Sequence, residues 1–313
     1  MKVLVSLGGN AILKHGQNGT AEEQETNVQN TAEHLAAILR RGVRIAITHG
    51  NGPQVGNILL QNEIAKETLP PMPLDVCGAE SQGMIGYMLQ RALQSELESA
   101  GQRIPVTTIV SQTLVDPKDL AFRNPTKPVG PFYIEKEARR LQESKGWHII
   151  SDSGRGYRRV VPSPTPLDIL EKETIIRLFE TGTVVISVGG GGVPVMRDKD
   201  GRLRGVEAVL DKDRTAALLG KILGVETLLI LTDVEKVFIN YGKPDQRAFD
   251  SITVQECKKY LAEGQFPAGS MGPKIESAVS FLSGSSGGRV VIASLEKAEE
   301  ALKGIAGTTV TNS

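Results

Sequence analysis

Three lysines stand in company that suits them to an anion. Lys127 lies in Thr126-Lys-Pro-Val-Gly-Pro-Phe132, with Pro125 and Pro128 on either side. Lys212 sits between Asp211 and Asp213 at a predicted helix start, and Lys274 follows Gly269-Ser-Met-Gly-Pro273 at another. A single surface lysine is ordinarily a solvated charge. Two of these three, however, are placed where helix N-terminal N–H groups and a cation act on the same anion. Phosphoryl transfer asks for that combination: positive charge around a loose, metaphosphate-like transition state, with donor and acceptor in line.

Backbone amides come from three glycine turns, each at the exit of an apolar run. Val3–Leu7 leads into Gly8-Gly9-Asn10, Ile45–Thr48 into His49-Gly50-Asn51-Gly52, and Thr183–Val188 into Gly189–Gly192. The runs are too short and too β-branched for helices and read as buried strands. Glycine lets the chain turn with positive φ and brings N–H groups close to an anion. Three such exits predict one polar crevice at the carboxyl edge of a sheet.

Strands and helices alternate along most of the chain, which predicts an α/β fold with a mainly parallel sheet covered on both faces. Helices are expected over about 21–41, 78–97, 167–180, 212–223, 254–263, 273–283 and 295–303. Strands are expected at 43–48, 104–110, 183–188, 227–231, 289–293 and near Thr308. The stretch to Pro73 after the second strand reads as mixed Gly/Pro-rich chain. Between Pro117 and Pro166, Pro125, Pro128, Pro131, Pro162 and Pro164 break the pattern. That segment reads as a small protruding insertion holding a hairpin, Trp147–Ile150 with Arg158–Val161, whose loop is Ser153–Gly156.

The 313 residues carry 36 basic and 36 acidic side chains, so no charge excess points to nucleic acid or a membrane surface. Cys77 and Cys257 form no pair motif, which fits a reducing cytoplasmic setting. No apolar run reaches membrane-spanning length. Gly220-Lys221-Ile222 and Gly242-Lys243-Pro244 both fail the Walker A pattern. Gly284-Ser285-Ser286-Gly287-Gly288 matches a nucleophile elbow, but it lies between a helix and a following strand, the inverse of the order that motif needs. The four histidines show no metal-ligand spacing, and no carboxylate cluster reads as a metal cage.

Leu7-Gly-Gly-Asn-Ala11, Thr48–Gly56, Ser187–Pro194 and Leu210-Asp-Lys-Asp213 resemble the amino-acid kinase superfamily. Ser81–Tyr87, Lys127–Tyr133, Asn240–Asp245 and Gly269–Lys274 narrow the resemblance to carbamate kinases over essentially the whole chain. The resemblance implies a three-layer αβα sandwich in one domain. Its N-terminal lobe (about 1–210, with the insertion at about 117–166) would hold the small acid and the dimer face. Its C-terminal lobe (about 211–313) would hold the nucleotide.

The implied reaction is ATP + carbamate = ADP + carbamoyl phosphate, run towards ATP in arginine catabolism by a cytoplasmic homodimer. Gly8, Gly9, Asn10, Gly50, Asn51 and Gly52 would line carbamate and the transferring phosphate. Lys127, Lys212 and Lys274 would neutralise the phosphoryl group, with Asp213 orienting lysines. Gly189 and Gly190 would meet nucleotide phosphates, and Asp233, Tyr241 and Met271 would flank the adenine nucleotide. Mg2+ would arrive with ATP or ADP. The alternatives are a sister small-acid kinase and a nucleotide sensor without catalysis; three lysines exceed what a sensor needs.

Overall fold

Strand residues alternate strictly between two faces. Val3, Val5, Leu7, Ile45, Ile47, Leu229 and Leu231 pack with helices Ala21–Leu39 and Leu74–Ser99. Leu4, Ala46, Val185, Leu228 and Ile230 pack on the opposite side with helices Lys172–Glu180, Lys212–Ile222, Val254–Ala262 and Met271–Leu282. A sheet buried on both faces is apolar along most of its strands, and the buried polar residues Ser6, Thr48 and His49 fall near the carboxyl ends, by the crevice. The result is a three-layer αβα sandwich, seen in a computed structural model that describes residues 1–151, 156–267, 269–283 and 287–313.

The central sheet has eight strands in the order Ser251–Thr253, Thr308–Thr311, Arg289–Ser294, Thr227–Thr232, Lys2–Leu7, Arg44–His49, Val184–Ile186 and Val106–Thr108. The last six run parallel, while the first two run opposite to them at one edge. Four neighbouring strands therefore release Asp233, Gly8–Asn10, Gly50–Gly52 and Gly189–Gly192 at one edge. That is the crevice position expected from the glycine exits.

The structure departs from the expected elements in several places. Gly52–Ala65 is a helix, because Pro53 falls in its first turn, where a missing N–H costs nothing. Leu167–Ile169 is not the start of a helix: Pro166–Ile169 pairs antiparallel with Gln112–Val115, and the helix begins at Lys172. That pair joins Val193–Arg197 and Leu203–Gly205 in a four-stranded sheet. Val237–Ile239 and Arg247–Phe249 form a further hairpin.

Within the insertion, Lys127–Tyr133, Tyr157–Val161 and His148–Ser151 make a three-stranded antiparallel sheet beside helix Glu135–Lys145. The expected hairpin pairing is present, although of its loop only Gly156 is among the described residues. Helix Met271–Leu282 and strand Arg289–Ser294 likewise flank the inverted elbow, whose residues 284–286 lie outside the described ones.

Candidate active site

Asp213 organises the centre of the crevice. Its Oδ1 accepts from Lys212 Nζ at 2.7 Å and from Ser6 Oγ at 3.0 Å, and its Oδ2 accepts from Lys274 Nζ at 3.1 Å. Lys212 Nζ also lies 3.0 Å from Ser6 Oγ. Burial alone would raise the Asp213 pKa, but Lys212 and Lys274 override it and hold the carboxyl well below the usual carboxylate range. Burial pulls Lys212 below its ordinary value and Lys274 adds to this, while the ionised Asp213 works against both.

One carboxylate thus holds two ammonium groups side by side, at the start of helix Lys212–Ile222 and in the first turns of helix Met271–Leu282. Lys212 and Asp213 come from one turn, Ser6 from a strand and Lys274 from a distant helix. Only the parallel sheet brings them together.

Asp211 does the same for the third lysine. Its Oδ1 caps helix Lys212–Ile222 by accepting from the amides of Asp213 (3.0 Å) and Arg214 (3.3 Å). Its Oδ2 accepts from Lys127 Nζ at 2.9 Å, tying the insertion to the helix start. Sequence reading placed Asp211 beside Lys212 as a charge partner. Its contact with Lys127, 84 residues away in the chain, needed the fold to be seen.

Among the described residues, three cavities run through this centre. One of about 470 Å3 is lined by Gly8, Gly9, Asn10, Lys14, His15, Lys212, Asp233, Lys274 and Glu296. A second, about 220 Å3, is lined by Gly50, Asn51, Gly52, Lys127, Gly190, Asp211, Lys212 and Lys274. The third, about 160 Å3, is lined by Asp233, Phe238, Tyr241, Met271 and Lys274. Lys274 lines all three and Lys212 the first two, so the lysine pair stands between a small polar end and a more apolar end. The exposed ring of Tyr241 meets Phe238 edge-on at 5.8 Å between centroids, forming an aromatic wall at the apolar end.

Gly189, expected with Gly190 at the nucleotide phosphates, lines none of these three cavities. Gly190 lines the small end with Gly50–Gly52 and Lys127, away from Tyr241 and Met271. A Cβ on Gly190 would come within 2.2 Å of the Asn51 side chain, and one on Gly189 within 2.4 Å of the His49 ring. Close packing against the second glycine turn requires both glycines, and Gly190 also has a positive φ of 64°.

Before them, Val188 adopts φ 47°, a left-handed conformation strained for a β-branched residue. It is pinned there: its N–H donates to Ser111 Oγ at 3.1 Å, and its carbonyl accepts from Thr48 Oγ1 at 3.0 Å. Asn51 donates to Ser81 Oγ at 2.8 Å, and Gln82 makes paired bonds with the Ser111 backbone. Ser81 and Gln82 are therefore the supports of the small-end loops.

His49, not singled out from sequence, is buried beneath them. Its Nδ1 donates to the Gly50 carbonyl at 3.0 Å, which fixes the tautomer, because a carbonyl only accepts. Burial lowers its pKa to about 4, so the ring is neutral at neutral pH.

The sequence profile of the amino acid kinase family matches residues 1–294. The chain is 51% identical to the carbamate kinase of Pyrococcus horikoshii over 312 residues, 99% of each chain. It is 47% identical to that of Staphylococcus epidermidis, again over 99% of both. Among solved structures, carbamate kinase from Giardia lamblia bound to AMP-PNP superimposes with a TM-score of 0.93 at 44% identity, covering 99% of this chain and 98% of that one. A Bacillus anthracis UMP kinase, at 13% identity and a TM-score of 0.54, shares the fold alone. With the whole chain matched at this level, it belongs to the amino acid kinase family and, within it, to the carbamate kinases.

Proposed function

We propose that the crevice catalyses reversible phosphoryl transfer between ATP and carbamate, giving ADP and carbamoyl phosphate. The observation that carries this reading is the pair of lysines on Asp213, which line the two larger cavities of the crevice, Lys274 also reaching the one walled by Phe238 and Tyr241. Carbamate fits the end bounded by Gly50–Gly52, Gly190 and Lys127. Adenine fits against Tyr241 and Met271, and the phosphates run past Gly8–Asn10 to the lysines.

A carbamate oxygen attacks the γ-phosphorus as the bond to the β-phosphate oxygen breaks, and the electron pair leaves with ADP. Carbamate is already an anion, so no residue need remove a proton. The obstacle is repulsion between two anions. Lys212, Lys274 and Lys127 lower it, and do so most in the transition state, where charge spreads over the transferring oxygens.

Mg2+ belongs with the nucleotide in this reading, where it would neutralise phosphate charge. Both oxygens of Asp211 and Asp213 are engaged by lysines, amides and Ser6, which leaves Asp233 and Glu296, on the same cavity wall, as the carboxylates able to face its water shell. A cytoplasmic homodimer working towards ATP in arginine catabolism completes the proposal. The dimer is supported by Val76, Met84 and Tyr87, which are exposed along helix Leu74–Ser99.

The discriminating experiment offers ATP and Mg2+ with carbamate, N-acetylglutamate or glutamate in separate reactions and measures ADP release. Turnover with carbamate alone is expected. Turnover with either amino-acid substrate instead would assign the crevice to a sister kinase.

A further inference from the structure

A fourth cavity lies at the joint between the insertion and the body, sharing Val129 with the small end of the crevice. Its volume is about 310 Å3, and its walls include Leu59, Leu74 and Pro73 from the body and Val129, Tyr133 and Trp147 from the insertion. Two ion pairs cross the joint: Lys145 with Glu63 at 2.7 Å and Arg159 with Glu207 at 2.8 Å. Both insertion cations rest over the Trp147 ring, Arg159 at 4.4 Å and Lys145 at 4.7 Å from its centroid.

The two pairs are unequal. Glu63 is shared by Lys145 and Lys66, and although burial acts to raise its pKa, the two lysines hold it below the usual range. Arg159 has an 11% exposed side chain, and among the described residues its guanidinium makes one hydrogen bond, to a Glu207 that is itself 58% exposed. A guanidinium carries five N–H donors in a planar fork. Most of the fork therefore remains for something else in the cavity, and the solvent-exposed partner it holds is cheap to displace. With Lys66 included, the cluster has three cations and two carboxylates, an excess of one positive charge.

We propose that this cavity is an effector site for a small monocarboxylate with an apolar, ring-sized body. The carboxylate takes the Arg159 fork in place of Glu207, and the apolar body lies against Trp147, Pro73 and Leu74. Val129 and Gly130 in the wall follow Lys127 on the same strand, so an occupant restrains the strand that delivers Lys127 to Asp211.

Trp147 is the only tryptophan in the chain, so its fluorescence reports on this cavity alone. The probes are phenylacetate, its neutral isostere phenylacetamide, and phenethylamine, titrated into the intact protein with and without saturating ADP. Expected is a saturable change with phenylacetate, at least about tenfold tighter than with phenylacetamide, the scale of one charge-assisted hydrogen-bond set. ADP should not displace it, and the phosphoryl-transfer rate should change over the same concentration range.

Arg159→Met should weaken binding, and Glu207→Gln should tighten it by removing the competitor; the second variant decides alone if the first fails to fold. Equal binding of acid and amide, preference for the amine, displacement by ADP, an unchanged rate at saturation, or no tightening in Glu207→Gln would each overturn the proposal.

Discussion

Replacing Lys212 by methionine separates chemistry from folding. The ammonium lost lines, with Lys274, both the 470 Å3 and the 220 Å3 cavity of the crevice. Removing one preorganised electrostatic donor lowers kcat by about 10²–10³, or roughly 2.7–4 kcal/mol of transition-state stabilisation. The fold should tolerate the change, because Asp213 keeps Lys274 at 3.1 Å and Ser6 at 3.0 Å and so is not left as a bare buried charge.

Asp213→Asn is the contrasting variant. It leaves two ammonium groups around a neutral amide, and removing one partner of a buried pair costs about 3–5 kcal/mol. Steady-state kcat and KM for ADP, with thermal melting of each variant, test the distinction. Expected for Lys212→Met is a large fall in kcat, a small change in KM and a nearly unchanged Tm; Asp213→Asn should lose both kcat and Tm. Lys212→Arg should not restore full rate, because a planar fork does not replace a compact ammonium. A Lys212→Met variant with near-normal kcat would refute the reasoning, as would one whose lost activity simply follows a collapsed Tm.

Asp211→Asn keeps the side-chain oxygen that caps helix Lys212–Ile222 but loses the charge that holds Lys127; in a double-mutant cycle with Lys127→Met the two effects on kcat should overlap, and strict additivity would deny the coupling. His49, neutral with a pKa lowered to about 4 by burial, binds fewer protons folded than unfolded, so its contribution is present above about pH 6.5 and is lost as pH falls towards 4. The loss amounts to about 3 kcal/mol, and a stability–pH curve for His49→Gln that keeps the wild-type slope in that window would contradict it. Hydrogen exchange across the insertion strand Lys127–Tyr133 should slow when ADP and carbamoyl phosphate bind, since Lys127 must reach the phosphates; equal exchange in free and bound protein would make the insertion a fixed wall.

The crevice was legible because its signals are local. A β-branched run ending in glycine describes a buried parallel strand and its exit turn in a few residues, and four adjacent exits do meet at one edge. The lysine-bearing helix starts were legible for the same reason. Hidden features depend on partners distant in the chain. Asp211 bonds Lys127 across the insertion, and Gly190 is a glycine because Asn51 fills the space beside it.

Helix Gly52–Ala65 was obscured by Pro53 and Gly56, which read as breakers although one sits harmlessly in the first turn and the other faces Gly130 of the insertion. Helix Glu135–Lys145 was masked by the prolines around it. Leu167–Ile169 has no local property that excludes a helix; its pairing with Gln112–Val115 decides the matter.

In the proposed reaction the phosphoryl group of carbamoyl phosphate passes to ADP as its bond to carbamate breaks, with three lysines neutralising the charge. Its most direct test is ATP formation by the purified chain from ADP, Mg2+ and carbamoyl phosphate, followed with a coupled enzyme while carbamoyl phosphate is counted in parallel. Steady turnover is expected, with one ATP formed for each carbamoyl phosphate consumed and a rate that collapses in Lys212→Met. Carbamoyl phosphate consumed without ATP, or no turnover while an acetylglutamyl or glutamyl phosphate donor is used, would contradict it.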